Sequence, residues 1–327
     1  MPQARTTTRR TRRTRDTHTR RARGRAARHR RALRREAPST VALLAREPDF
    51  ALMRAYRSFA FRDHRRYLRR MEQLLRHLTE DGIHTRVALF DPVEYGLYCR
   101  REGLDPDTPA SRARYVAEIA ASRDTVAYAG QPMPRLARRL AETHARDRAR
   151  HLADAVLDRV APCPDCGTDL AHAAMARAAR ALAELFSAAG PGGHHLVCSI
   201  AVPGTPLLAA AEARAGSDGV PLRISEDAAL ALTAVLAAGL ATGSPGGLVL
   251  RTRAEDGTET VRGWTLDPGP CWLHPLTAAQ VFAAYCTDPG TGDPVPPEPG
   301  VEHLPGYQLP HPGEDLHCDG RPGGPLP

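Results

Sequence analysis

One apolar stripe in the first third of the chain constrains its fold more than any other feature. Six apolar residues recur there at offsets of three and four: Tyr67, Leu68, Met71, Leu74, Leu75 and Leu78. This spacing predicts an amphipathic helix that buries one face. Asp63 stands where an N-cap belongs, and Gly82 follows Asp81 where a left-handed residue commonly ends a helix, so the sequence marks both helix ends.

Short β-branched or aromatic runs flank this helix and predict strands. The runs are Ser58 to Phe61 and Thr85 to Phe90, and a strand–helix–strand connection of this length is typical of parallel strands. Thr125 to Ala129 predicts a third strand. We therefore expect an α/β fold whose first module, residues 40–160, is a small, doubly wound and mainly parallel sheet.

Residues 170–286 predict a second α/β module. An alanine-rich helix spans 170–188, the run from His195 to Ala201 is strand-like, and Thr205-Pro206 predicts the start of another helix. Two alternating runs around Asp256-Gly257 predict a β-hairpin, because this dipeptide favours tight turns. The second sheet is therefore expected to be mixed.

The two ends of the chain carry opposite charges. Residues 1–36 hold fifteen arginines against two acidic residues, which gives +13, and residues 287–327 hold one arginine against seven acidic residues, which gives −6. The overall charge of +8 leaves +1 for the middle of the chain. Proline and glycine fill 19 of the last 41 positions. These compositions predict a disordered arginine-rich arm (residues 1–39) and an extended or disordered acidic tail (residues 287–327).

The arginine arm predicts contact with DNA or RNA, because arginine forks pair with phosphates whatever the base sequence. The arginines expected to make these contacts are Arg9, Arg10, Arg12, Arg13, Arg20 and Arg21. A solvated tail is one alternative. A later translation start, at Val41 or Met53, is another, and it would remove the arm from the native product.

Three features of composition narrow the class of protein. The chain has no lysine and no asparagine, which favours an origin in a GC-rich bacterium and excludes the usual P-loop, kinase and pyridoxal chemistries, since each needs a lysine. Seven cysteines, an odd and small number, predict a reducing, cytoplasmic compartment. No run of eighteen apolar residues is present, so we expect no membrane partner.

Cys163 and Cys166 form the sharpest short motif, within a linker predicted at residues 161–169. Two thiolates on a tight turn can occupy two positions of a tetrahedral zinc site, and His172 and His195 are the candidates to complete it. A redox dithiol and two ordinary linker cysteines are the alternatives. Cys198 is expected in the core, because a strand turns it away from His195.

Asp63 and Asp91 are the candidate catalytic residues. Each follows a predicted strand, and ligands of open α/β sheets bind at the carboxyl ends of strands. With His64 and Glu94 they could hold a divalent metal for phosphoryl chemistry. The structural alternative is that both aspartates only cap helices.

The sequence thus leaves the question of enzyme activity open and favours one hypothesis. It predicts an uncharacterised cytoplasmic binding or accessory protein whose arm contacts nucleic acid. The alternative is a metal-dependent phosphoesterase or nucleotide-processing enzyme with its site at Asp63 and Asp91. His144 and His151, seven residues apart on an arginine-rich helix, are expected to be solvated.

Overall fold

The computed structural model describes residues 39–122, 125–164, 166–216, 222–266, 272–288 and 291–310, so the arginine arm lies outside the described part. The described chain combines helices with two sheets, which confirms the predicted α/β class. It divides into two compact units between His144 and Ala145, earlier than the predicted linker at 161–169. None of the helices in the described ranges is long and apolar enough to cross a membrane.

The first unit is built on a small mixed sheet. In chain order its elements are β1 (Ser39–Leu43), α1 (Glu47–Met53), α2 (His64–Glu80), β2 (Thr85–Leu89), α3 (Pro92–Glu102), α4 (Pro109–Ser122), β3 (Val126–Ala127) and the first part of α5 (Met133–Leu157). The strand order is β1–β2–β3. β1 runs parallel to β2, whereas β3 is antiparallel to it, so the sheet is less parallel than predicted.

The parallel neighbour of β2 is β1, and the strand predicted at Ser58–Phe61 is wrong. These residues form a turn and irregular backbone that leads into α2. A short apolar run cannot by itself distinguish a strand from a packed loop. Phe59 packs against the hydrophobic core of the first unit without pairing to a strand. The helix prediction is confirmed, because α2 starts at an Asp63 cap and buries Tyr67 and Leu75.

The second unit is built on a larger, mostly antiparallel sheet. Its elements after α5 are α6 (Leu170–Ala189), β4 (Gly192–Val202), β5 (Thr205–Ala215), β6 (Arg223–Ile224), α7 (Glu226–Thr242), β7 (Gly246–Arg253), β8 (Glu259–Leu266), β9 (Leu273–Pro275), α8 (Ala278–Tyr285) and β10 (Val301–His303). The strand order is β10–β8–β7–β4–β5–β6, with β9 on β8. The predicted hairpin is confirmed as β7–β8.

The helix predicted to start at Thr205 is wrong, because this segment is β5. Gly204, with φ of 72°, lies at the reversal that returns the chain antiparallel to β4. The side chains that β5 turns to the core alternate along the strand: Leu207, Ala209, Ala211 and Ala213. The alternating burial available beside β4 outweighs the helix propensity of alanine.

The two faces of the second sheet differ. α7 packs on β4 and β5, and α6 packs on α7, over a core that includes Trp264 and Cys198. On the other face, α8 covers the β8 end, where Val281 lies 3.3 Å from the Cβ position of Gly263. On β4 and β5 this second face alternates with the core and leaves several residues, among them Ala210, exposed to solvent.

The hydrophobic core of the second unit includes two segments that the sequence analysis did not assign to it. The last two turns of α5 pack there through Ala149, Ala153 and Val156, which explains why the units divide within this helix. The tail, predicted to be extended or disordered, belongs to the second unit up to residue 310 and contributes strand β10 to its sheet. Leu309 is buried, and Trp264 Nε1 donates to the carbonyl of Tyr307 at 2.9 Å.

Candidate functional site

Polar residues meet at the carboxyl edge of the parallel pair β1–β2. Of the predicted set, Asp91 follows a strand as expected, whereas the strand predicted before Asp63 does not form. His64 Nε2 lies 3.0 Å from the Leu44 carbonyl, just beyond β1, and Asp91 follows β2. The Tyr67 hydroxyl accepts from the Leu44 amide at 3.2 Å. The structure therefore places His64 and Asp91 at one edge of the first sheet.

Asp91 is buried there, and both oxygens of its carboxylate have partners. One carboxylate oxygen accepts from the amides of Val93 and Glu94 at 2.8 and 3.1 Å, and the other lies 3.5 Å from His144 Nε2. The hydrogen bond from His144 and the two amide bonds lower the pKa of Asp91 to about 2, against the opposing effect of burial. Asp91 is thus an ionised cap held by a histidine.

The prediction that His144 is solvated is wrong, because only 15% of its side chain is exposed. A sequence signal for its burial exists: His144 continues the series of Leu136 and Leu140, at intervals of four, and both leucines are buried in the first core. One buried face of α5 therefore carries a polar group where the third apolar residue would stand.

The other predicted catalytic residues have local roles. Asp63 accepts from the Arg66 amide at 2.6 Å and caps α2 at the surface, while the Glu94 amide is bound by Asp91. Among the described residues, no group of three or more His, Cys, Asp or Glu side chains is arranged to hold a metal ion. The metal-dependent site at Asp63 and Asp91 stays a prediction without geometric support.

Two backbone hydrogen bonds join the ends of the cysteine motif, of which Asp165 lies outside the described residues. The Gly167 amide donates to the Cys163 carbonyl, and the Cys163 amide to the Thr168 carbonyl, both at 2.9 Å. His172 lies at the start of α6, and His195 lies on the exposed face of β4. The described chain does not bring these four residues together as ligands, so zinc also stays a prediction.

Cys198 confirms its predicted place in the core. It is fully buried, and burial raises the pKa of its thiol to about 12. A thiol that holds its proton so firmly is a poor nucleophile and a poor metal ligand.

A cavity of about 520 Å³ lies at the start of α2 in the first unit. Its lining consists of Ala60, Phe61, Arg62, Asp63, Arg66 and Arg70. Three arginines against one aspartate give this α2 cavity a formal charge of +2. Phe61 exposes 38% of its surface beside them.

The arginines of the α2 cavity occupy positions that weaken the helix. Arg66 and Arg70 stand four residues apart on one face, where like charges repel. The first turn of α2 contains no acidic residue, although the partial positive charge of a helix start favours one. Because the Asp63 carboxylate already caps the helix start, the attraction of this cavity for anions comes from its three arginines.

A second cavity, of about 480 Å³, lies on the open face of the second sheet. Its lining consists of Gly193, His194, His195, Glu212, Ala213, Arg214, Arg223, Arg251, Arg253 and Glu259. Four arginines against two glutamates give this sheet cavity a formal charge of +2.

One side of the sheet cavity is a closed network of ion pairs. Arg251 and Arg253 donate through Nε to opposite oxygens of Glu259, at 2.7 and 2.6 Å, and Arg251 also binds both oxygens of Glu298, at 2.8 and 2.9 Å. These arginines, Arg251 first, lower the pKa of Glu259. Glu259 therefore fixes both guanidinium groups.

On the other side of the sheet cavity, two residues of like charge stand opposite each other. Arg214 on β5 stands directly opposite Arg223 on β6, and both are exposed. Neither guanidinium has an ion pair within the described ranges. Like charges directly opposite on neighbouring strands destabilise a sheet.

The sequence analysis missed both cavities. The spacing of Arg62, Arg66 and Arg70 at intervals of four could have indicated the α2 cavity. The sheet cavity depends on strand register, because Arg214 and Arg223 become neighbours only when β5 pairs with β6. No local pattern contains that pairing.

Comparison with known proteins finds a similarity over about a third of the chain and no activity. Residues 28–131, which are 104 of the 327, match the model of a family described as a domain of unknown function (DUF8829). No curated protein and no solved structure matches the chain. The matched segment includes the α2 cavity and Asp91 and ends before the second sheet begins.

Proposed function

We propose that the protein binds nucleic acid through phosphate contacts, and that the α2 cavity is the contact surface of its first unit. The observation that carries this proposal is the convergence of Arg62, Arg66 and Arg70 in one cavity at a helix start. Residues 37–286 have a net charge of only +1. The cavity is therefore a local concentration of positive charge on a nearly neutral part of the chain.

The chemistry of the cavity suits a phosphate backbone. Guanidinium groups bind phosphate oxygens in a bidentate manner, and three of them line this cavity. Phe61 adds an exposed aromatic ring on which an unpaired base can stack. The arginine arm, which precedes the first unit, would add contacts that are independent of base sequence.

A binding measurement on the full chain tests this proposal. We expect Arg62→Gln/Arg66→Gln/Arg70→Gln to weaken binding of a labelled oligonucleotide, measured by fluorescence anisotropy between 50 and 200 mM salt. Loss of three phosphate contacts should reduce the slope of log K against log salt by roughly 2 to 3. Single-stranded and duplex probes in parallel show whether Phe61 stacks, since Phe61→Ala then weakens only the single-stranded complex.

The control must remove the same charge elsewhere. Arg114, Arg135 and Arg139 are exposed residues of the first unit that do not line the cavity, and their triple glutamine variant should keep the slope nearly unchanged. Equal losses in both triple variants would show that only net charge matters and would overturn the site. The contribution of the arm to oligonucleotide binding is measured by glutamine substitutions at Arg9, Arg10, Arg12, Arg13, Arg20 and Arg21.

The alternative hypothesis, a phosphoesterase, is tested by a separate measurement. A phosphoesterase at Asp63 and Asp91 predicts phosphate release that Asp91→Asn abolishes while the arginine arm is intact. The geometry favours this alternative less, because both carboxylates already accept amide hydrogen bonds at helix starts.

A further inference from the structure

Gly193 in the second sheet occupies a position where the backbone and its surroundings would accept a side chain. Gly192 has φ of 141°, and a Cβ on it would lie 2.6 Å from the Arg253 carbonyl oxygen. A Cβ on Gly246 or Gly247 would lie 2.4 or 2.5 Å from a backbone oxygen. Gly193 has neither a positive φ nor any atom within 4 Å of its Cβ position.

A glycine inside a strand is costly when nothing requires it. It weakens a strand by roughly 0.5–1 kcal/mol relative to alanine, and it often marks the close approach of a ligand or another backbone. Gly193 belongs to the 11-residue strand β4 and lines the sheet cavity. The absence of a side chain there leaves open the space above the strand.

The residues on either side of this space are arginines. Gly193 stands opposite Arg214 on β5 and opposite Arg253 on β7. Neighbouring strands lie about 4.8 Å apart, so the two arginine backbones are separated by about 10 Å with only the glycine between them. Arg223, opposite Arg214, extends the same row by one strand.

The guanidinium groups of this row are only partly bound within the described ranges. Glu259 binds Nε and Nη2 of Arg253 and holds the guanidinium in place, while Nη1 has no ion pair there and 72% of the Arg253 side chain remains exposed. Arg214 and Arg223 repel each other, and an anion between the arginines removes that repulsion. Two arginines on opposite sides of an open floor can bind the oxygens of one tetrahedral anion from both sides.

We propose that Gly193, Arg214 and Arg253 form a phosphate-binding subsite in the second unit, with Arg223 as an auxiliary cation. Gly193 supplies the floor on which the phosphate group rests, and the two arginines bind its oxygens. The phosphate group belongs either to a small phosphorylated molecule or to a nucleic acid chain. This subsite does not depend on the α2 cavity of the first unit.

The most direct variants add a side chain at Gly193 and leave every charged residue unchanged. We expect Gly193→Ala to weaken phosphate binding and Gly193→Val to abolish it, while thermal unfolding shows an equal or higher Tm because both residues suit a strand better than glycine. Ala210→Val is the matched control, since Ala210 lies exposed on the same face of β5 outside the cavity. It should leave binding unchanged.

A second set of variants tests the arginines. Arg214→Lys keeps the charge but loses the fork and should weaken binding about tenfold, whereas Arg180→Gln, on the exposed side of α6, should have no effect. These variants keep the proposal testable even if the valine variant does not fold.

Three probes distinguish the source of the phosphate group. Isothermal titration of the full chain uses pyrophosphate, ATP and a short oligonucleotide. Binding of pyrophosphate or ATP that depends on Gly193 identifies a small phosphorylated ligand, and oligonucleotide binding that depends on Gly193 without such binding of ATP identifies a nucleic acid. If no probe shows a dependence on Gly193 and Arg214, the subsite is wrong, whatever the α2 cavity binds.

Discussion

The strand edge of the first unit and the open face of the second sheet both gather charged residues. Ion pairs hold Arg251 and Arg253 on the sheet face, but one pair there, Arg214 and Arg223, differs from the residues of the strand edge. At the strand edge Asp91 binds two amides and lies 3.5 Å from His144, and Arg46, which precedes α1, binds Asp49 at 2.7 and 2.9 Å. On the sheet face, Arg214 is paired across the strands with another arginine.

This contrast shows where function is best sought in such a protein. Asp91 has the position of a catalytic residue, yet its contacts are those of a helix cap, so stability alone explains it. Stability does not explain Arg214 opposite Arg223, or a glycine without a conformational role between two arginines. Residues placed at a cost to the fold are the stronger candidates for binding.

The largest effect that sharpens the comparison is expected at Asp91. Asp91→Ala removes the cap of α3 and leaves the partly buried His144 without its acceptor, so the free energy of unfolding should fall by about 2–3 kcal/mol. Asp63→Ala removes an exposed cap and should cost about 1 kcal/mol. Denaturant unfolding measures both, and equal costs would contradict the structural role assigned to His144.

A smaller effect is expected from pH. The pKa of Asp91 is about 2 in the folded chain against 3.8 for an ordinary aspartate, so its ionised form stabilises the fold above about pH 4. This contribution is lost as the pH falls through 2. The difference in stability between the natural chain and Asp91→Asn should therefore shrink between pH 4 and pH 2.

His144→Gln is the matched variant for this pH dependence. It removes the largest cause of the lowered pKa of Asp91, so the pH dependence below pH 4 should flatten. A difference that persists undiminished at pH 2 would show that the carboxylate is not held in its ionised form by the fold.

The smallest effect is expected on the sheet face, with the opposite sign. Arg214→Gln/Arg223→Gln removes a like-charge pair and should leave the free energy of unfolding unchanged or raise it by about 0.5 kcal/mol. Thermal unfolding at low salt measures this effect. A loss above 1 kcal/mol would break the comparison, because these arginines would then be structural.

Sequence reasoning succeeded where the signal was local. The stripe from Tyr67 to Leu78 and its Asp63 cap gave helix α2, and Asp256-Gly257 gave the β7–β8 hairpin. It failed where distant segments decide. Thr205–Ala215 contains many alanines but became a strand, because β4 was available to pair with it along its whole length.

The candidate sites follow the same division. Asp91 was predicted to follow a strand and does so, whereas Asp63 and the neighbouring His64 were placed by a strand at Ser58–Phe61 that does not form. Asp63 is a surface cap, and His64 lies near the end of β1 instead. His144 was missed because its partner is 53 positions away in the chain. Gly193 could not be recognised as the floor of a cavity until register placed an arginine on each side of it.

By itself, the sequence determined the α/β class, the main helices with their caps, the hairpin and the segregation of charge to the two ends of the chain. These follow from hydrophobic period, capping residues and composition, which act over a few residues at a time. Only the tertiary structure decided which strands pair, which tail residues join the second unit and which arginines become neighbours. Those outcomes depend on register and on packing between residues far apart in the chain, where no local pattern reaches.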